Sequence, residues 1–123
     1  MRIVKGRLVV LAFVSLHWNV ALAQDGPVSP KEIKDSWVGK DLLGTTAGGA
    51  RTALRLEPDA TASVSAGSTN DTGTWRLWES GYCTTWKTIR AGQERCFTVT
   101  RTGSLFRVTN PDGSLGGFFN TIK

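Results

Sequence analysis

From Gly39 to its last residue the chain is written in short runs of Thr, Val, Leu and aromatic residues, interrupted every eight to twelve residues by Gly, Asn, Asp, Ser or Pro. That punctuation specifies short strands joined by tight turns. Strands are expected near 40–46, 51–57, 60–66, 72–78, 82–89, 94–101, 105–109 and 115–122. The segments between them include Glu57-Pro58-Asp59-Ala60, Glu79-Ser80-Gly81, Arg90-Ala91-Gly92-Gln93, Thr102-Gly103-Ser104 and Asn110-Pro111-Asp112-Gly113-Ser114, each short enough to force antiparallel hairpins. The fold class is therefore all-β, an up-and-down antiparallel meander of about eight strands. Closure into a small barrel removes the exposed edges such a meander would leave.

Alternation assigns the faces. Leu54, Leu56, Ala62, Val64, Ala66, Trp75, Leu77, Phe106 and Val108 fall on one side, while Arg55, Ser63, Ser65, Thr74, Arg76 and Arg107 fall on the other. The apolar set is the expected interior, with small residues in some strands facing large ones in others, as suits a barrel filled by side chains.

The two cysteines, Cys83 and Cys96, test this scheme. A hairpin centred between Ile89 and Arg90 places Cys83 opposite Cys96, Tyr82 opposite Phe97, Thr84 opposite Arg95 and Trp86 opposite Gln93. Directly opposed cysteines on adjacent strands are close enough for a disulfide. In this register Tyr82, Trp86, Phe97 and Val99 look inward and the disulfide looks outward.

Ahead of the strands stand two other segments. Residues 1–23 combine a basic start (Arg2, Lys5, Arg7), an apolar stretch and Ala21-Leu22-Ala23, the pattern of a secretory signal peptide cleaved between Ala23 and Gln24. The expected location is periplasmic or secreted from a bacterium, a disulfide-permissive setting, with no membrane span after cleavage. Residues 24–38 are expected to hold one short helix. Ser29 caps it, Pro30 occupies its first turn, Glu32 completes a capping box, and Ile33 and Trp37 share a face. The barrel domain then covers 39–123.

Cleavage also changes the chemistry. The formal charge falls from +5 to +2, too little to draw nucleic acid, so none is expected as a partner. His17 leaves with the leader, and it is the only histidine. A chain without imidazole and with both cysteines oxidised has no Ser-His or Cys-His nucleophile pair and a poor ligand set for zinc. No catalytic residue, metal site or cofactor is therefore expected, and the protein is read as a non-enzyme. Glu57 and Asp59 flank Pro58 as turn residues, Gly48-Gly49 lacks the lysine of a phosphate loop, and Asn70-Asp71-Thr72 reads as a polar turn.

The stretches Gly73-Thr74-Trp75, Gly81-Tyr82-Cys83-Thr84-Thr85-Trp86 and Glu94-Arg95-Cys96-Phe97 carry a likeness. The segment from about 44 to 116 resembles small exported bacterial proteins of unknown function, and its Gly-Thr-Trp strand resembles those of avidin-type, lipocalin-type and other calycin-like barrels. That group includes ligand carriers and protein inhibitors of proteases. The resemblance implies a barrel and an exported location.

Three roles follow as expectations. The first is a binding protein for a small ligand in the barrel mouth or a protein partner on the rim. The second is an inhibitor of a secreted or envelope hydrolase, of the protease or lysozyme class, acting through residues 24–28 or the 47–51 loop. The third is a structural envelope protein. Arg95 and Arg101 share the inward parity of Phe97 and Val99, which places them near the two ends of the interior, where a guanidinium can clasp a carboxylate or sulfate. Trp78, outward at a strand end beside Arg76, is the candidate anchor for a partner.

Overall fold

A computed structural model describes residues 25–123, so the leader assigned to 1–23 lies outside the described residues. In chain order the elements are β1 (Gly26–Pro27), α1 (Pro30–Ser36), β2 (Asp41–Thr46), β3 (Arg51–Leu56), β4 (Thr61–Ala66) and β5 (Thr69–Trp78). There follow β6 (Gly81–Trp86), a single tight turn over Ile89–Gly92, β7 (Arg95–Thr102), β8 (Leu105–Thr109) and β9 (Leu115–Ile122). Each strand from β2 to β9 pairs antiparallel with the next, and β9 pairs back onto β2, which closes an eight-stranded up-and-down barrel. Closure leaves no long edge unpaired.

The short β1 is an addition to the expected meander. β6 and β7 stay paired only from Thr84–Arg95 to Gly81–Thr98 and then part. The released edge of β7 accepts β1, with Gly26 opposite Arg101 and Pro27 opposite Thr100, and the Val28 amide donates to the Val99 carbonyl at 2.9 Å. The N-terminal segment is thus stitched into the barrel wall.

Two glycines show how so small a barrel bends. A Cβ on Gly44 would collide with the Phe118 carbonyl oxygen where β2 meets β9, and one on Gly73 would collide with the Thr85 carbonyl oxygen. Only a residue without a side chain permits strands to coil this closely. The glycine of Gly-Thr-Trp is explained by that approach.

Interior parity follows the alternation. Leu54, Leu56, Ala62, Tyr82, Trp86, Phe97, Val99, Phe106 and Val108 are buried, whereas Val64, Trp75 and Leu77 are only partly buried against that core. Trp75 is held by its indole N–H, which donates to the Glu57 carbonyl at 2.8 Å. Helix α1 then plugs one end. Ser29 caps it by accepting from the Glu32 amide at 3.1 Å, and Ile33 and Trp37 are fully buried. Trp37 meets Phe106, Tyr82 and Phe119 edge-on, with ring centroids 5.4, 5.8 and 5.8 Å away. Burying such a ring contributes about 1.5–3 kcal/mol, with about 0.5–1.5 kcal/mol more from edge-to-face contacts.

The expected capping box forms only by half. The Glu32 carboxylate turns away from Ser29 and accepts from Arg101 at 2.6 Å. A long-range ion pair at the plugged end displaces a local cap.

Cys83 and Cys96 form the disulfide in the expected register, on the outer wall where Arg76 opposes Cys83. Two boundaries differ from the sequence reading. The β6–β7 ladder stops at Thr84–Arg95, so Trp86 does not pair with Gln93, and 87–94 is a wide loop. Asn70-Asp71-Thr72 lies within β5, paired with Ser65, Val64 and Ser63, and is not a turn. No helix among the described residues is long and apolar enough to cross a membrane.

Candidate functional site

The end of the barrel opposite α1 is ringed by the connections at 47–50, 67–68, 87–94 and 110–114. Beneath them lies a cavity of about 420 Å³. Its depth comes from residue size: Thr52, Ala66, Gly116 and Gly117 line the mouth where longer side chains would fill it. Tyr82 and Phe119 line it as well, and both rest on Trp37, so the helix that plugs the far end also supports the cavity floor. Burial pushes the Tyr82 hydroxyl well above the usual phenol range, which keeps it protonated.

Three residues lining the cavity are titratable: Tyr82, Arg90 and Arg95. Among the described residues that line it, none is Asp, Glu, His or Cys. Arg95 stands on the inner face of β7 opposite the buried Thr84. Arg90 comes from the 87–94 loop, and an unusual backbone brings it there. Arg90 and Ala91 both adopt left-handed conformations, with φ 55° and 53°, before Gly92 at 75°. Two consecutive side-chain-bearing residues in that region cost about 1–3 kcal/mol each and persist only where surrounding contacts enforce them.

The enforcing contact is Asp71 on β5. One of its carboxylate oxygens accepts from the Ile89 amide at 2.8 Å and from the amide and hydroxyl of Thr88 at 2.9 Å each, while the other accepts from the Thr72 amide. Those hydrogen bonds, the one from the Ile89 amide foremost, pull its carboxyl down to about 2. The loop so held turns the Arg90 side chain inward. Its Nη2 donates to the Thr84 hydroxyl at 2.9 Å, its guanidinium carbon lies 5.4 Å from the centre of the Phe97 ring, and its Nε is buried without a hydrogen-bond partner. Burial, then the nearby charge of Arg95, pushes the Arg90 guanidinium below its ordinary range.

The remaining candidate residues are placed differently. Arg101 sits at the plugged end, 14% exposed, paired with Glu32 and stacked 4.7 Å from the Phe106 ring centre. It is part of the plug and does not line the cavity at the open end. Arg76 lies on the outer wall and donates two hydrogen bonds to Glu94, at 2.9 and 2.6 Å. Trp78, outward by parity, is half-buried and not an exposed anchor, because its indole N–H donates to the Phe97 carbonyl at 3.0 Å across the narrow Gly81. The structure brings Arg95 together with Arg90 and brings neither Arg101, Arg76 nor Trp78 to them. In the sequence Arg90 is a turn residue that no local signal marks as inward, since its placement depends on Asp71.

Cys83, Cys96 and Glu94 converge within 4.8 Å, but the two sulfurs are bonded to each other and offer no thiolate to a metal. The 25–28 arm is docked: the Gly103 amide donates to Asp25 at 2.7 Å, β1 pairs with β7, and Val28 is buried. The 47–50 connection is a compact turn closed by the Thr46 amide donating to the Ala50 carbonyl. Comparison of the chain with protein-family models, with curated proteins and with solved structures found no match.

Proposed function

We propose that this chain is an exported, non-enzymatic binding protein that takes a small, largely apolar molecule into the open end of its barrel. The cavity of about 420 Å³ carries this reading, because its volume and apolar lining suit a small ligand. Leu54, Val64, Phe97, Val108 and Phe119 supply apolar wall, and Thr84 and the two arginines supply a few polar groups for orientation. The calycin-like resemblance agrees with ligand carriage. The absence of Asp, Glu, His and Cys from the described residues of the cavity lining favours binding over catalysis, since proton transfer near neutrality needs a group that titrates there. The 25–28 arm, engaged along β7, supports carriage over inhibition by that arm.

Titration with the neutral, environment-sensitive dye N-phenyl-1-naphthylamine tests the reading. Saturable one-to-one binding is expected, and it should be lost in Ala66→Trp, which fills the mouth, and in Val64→Phe, which fills the wall. Circular dichroism and thermal unfolding would confirm that both variants fold. Absence of saturable binding to the unaltered protein, or equal binding to both folded variants, would overturn it.

A further inference from the structure

We infer that the ligand is amphipathic and acidic, with an apolar body in the cavity and a single carboxylate, or an oxyanion of like shape, held between Arg90 and Arg95. The inference rests on the ligand-binding reading above and adds the chemistry of the headgroup.

Five donors on a guanidinium form a planar fork matched to a carboxylate. On Arg90 one nitrogen already serves the Thr84 hydroxyl and one face lies toward Phe97, while Nε stays buried with nothing to donate to. A solvated rim arginine would turn that group to water. Here the left-handed loop and its three hydrogen bonds to Asp71 hold it inside.

Arg95 raises the local positive charge further, and no acid among the described residues lines the cavity to offset it. The nearby carboxylates are engaged elsewhere. Glu94 is bound by Arg76, Asp71 by the loop amides, and Asp112, close enough to feel the charge of Arg95, accepts from the amide and hydroxyl of Ser114. Neither Arg90 nor Arg95 forms an ion pair among the described residues, whereas Arg101 on the same inner face has Glu32. Two unpaired cations in a concave, apolar mouth suit one anionic group attached to an apolar body. They do not form the extended stripe that a polyanion needs, and an inorganic anion alone would leave the apolar space empty.

The test is displacement of bound N-phenyl-1-naphthylamine from the purified protein by octanoate and by octan-1-ol, a pair that differs in charge but hardly in apolar length. Octanoate is expected to displace the dye at a concentration at least about tenfold lower than octan-1-ol. In Arg90→Gln and in Arg95→Gln the ratio should fall severalfold, and in the double variant it should approach one, each ratio being read against that variant's own dye affinity. Equal potency on the unaltered protein, with the dye still bound, would overturn the acidic headgroup and leave the cavity reading standing. Failure of the dye to bind would overturn both. A preference for octanoate that survives in the folded double variant would also overturn the inference, because the anion would then be held elsewhere.

Discussion

The two ends of the barrel solve the same problem in opposite ways. At the helix end, Ile33 and Trp37 are fully buried, and the inward arginine, Arg101, is matched by Glu32 and stacked on Phe106. At the other end, small residues leave about 420 Å³ open, and two inward arginines form no ion pair among the described residues. Nothing in strand geometry requires the difference, since both ends belong to the same strands. The helix end therefore carries stability, and the open end keeps the apolar cavity and unpaired charge on which the proposed binding rests.

That division gives graded expectations. Trp37→Ala should be the most damaging single change at the helix end, costing about 3–5 kcal/mol, because it removes a fully buried ring from three aromatic contacts. Chemical denaturation would measure it, and a loss under about 1 kcal/mol would break the assignment of stability to that end. Replacing Cys83 and Cys96 together by Ser should cost about 2–3 kcal/mol, since the bond closes a short loop between β6 and β7. Denaturation with and without reductant would show it.

The arginines provide the sharpest contrast. Arg101→Gln should lose about 1–2 kcal/mol, because it leaves the part-buried Glu32 carboxylate without its partner. Arg90→Gln should stay within about 1 kcal/mol of the unaltered protein in either direction, because losing the Thr84 hydrogen bond is offset by relief from desolvation and from the charge of Arg95. Matching urea midpoints for the two variants would erase the distinction between the ends.

The smallest effect is that of pH. Asp71 has its carboxyl lowered from 3.8 to about 2, so its contribution is full above about pH 4 and is lost as pH falls toward 2. Amide exchange at Thr88 and Ile89 should accelerate over that interval. Asp71→Asn should show fast exchange there already at neutral pH, and unchanged exchange would mean that the loop is held by other contacts.

Much of the fold is legible in the sequence because it is set by local periodicity. Two-residue alternation identified Leu54, Leu56, Phe106 and Val108 as interior, and the Cys83–Cys96 spacing gave the β6–β7 register through Tyr82–Phe97. The open end is less legible because its decisive contacts are remote. Asp71 holds a loop 18 residues further on, and the two left-handed residues that turn Arg90 inward are Arg and Ala, types that do not advertise that conformation. Glu32 looks like half of a capping box until Arg101, 69 residues away, claims it. Trp78 reads as exposed by parity alone, and its hydrogen bond to Phe97 depends on the missing side chain of Gly81.

The central claim is that ligand binding belongs to the open end and not to the helix end. The most direct measurement is a titration of isotope-labelled protein with octanoate, followed by amide chemical shifts. Saturable shifts confined to Thr84, Arg90, Arg95 and Gly116, with Arg101 and the helix unmoved, are the predicted result. Shifts concentrated around Trp37 and Arg101, or no saturable shift at all, would contradict it.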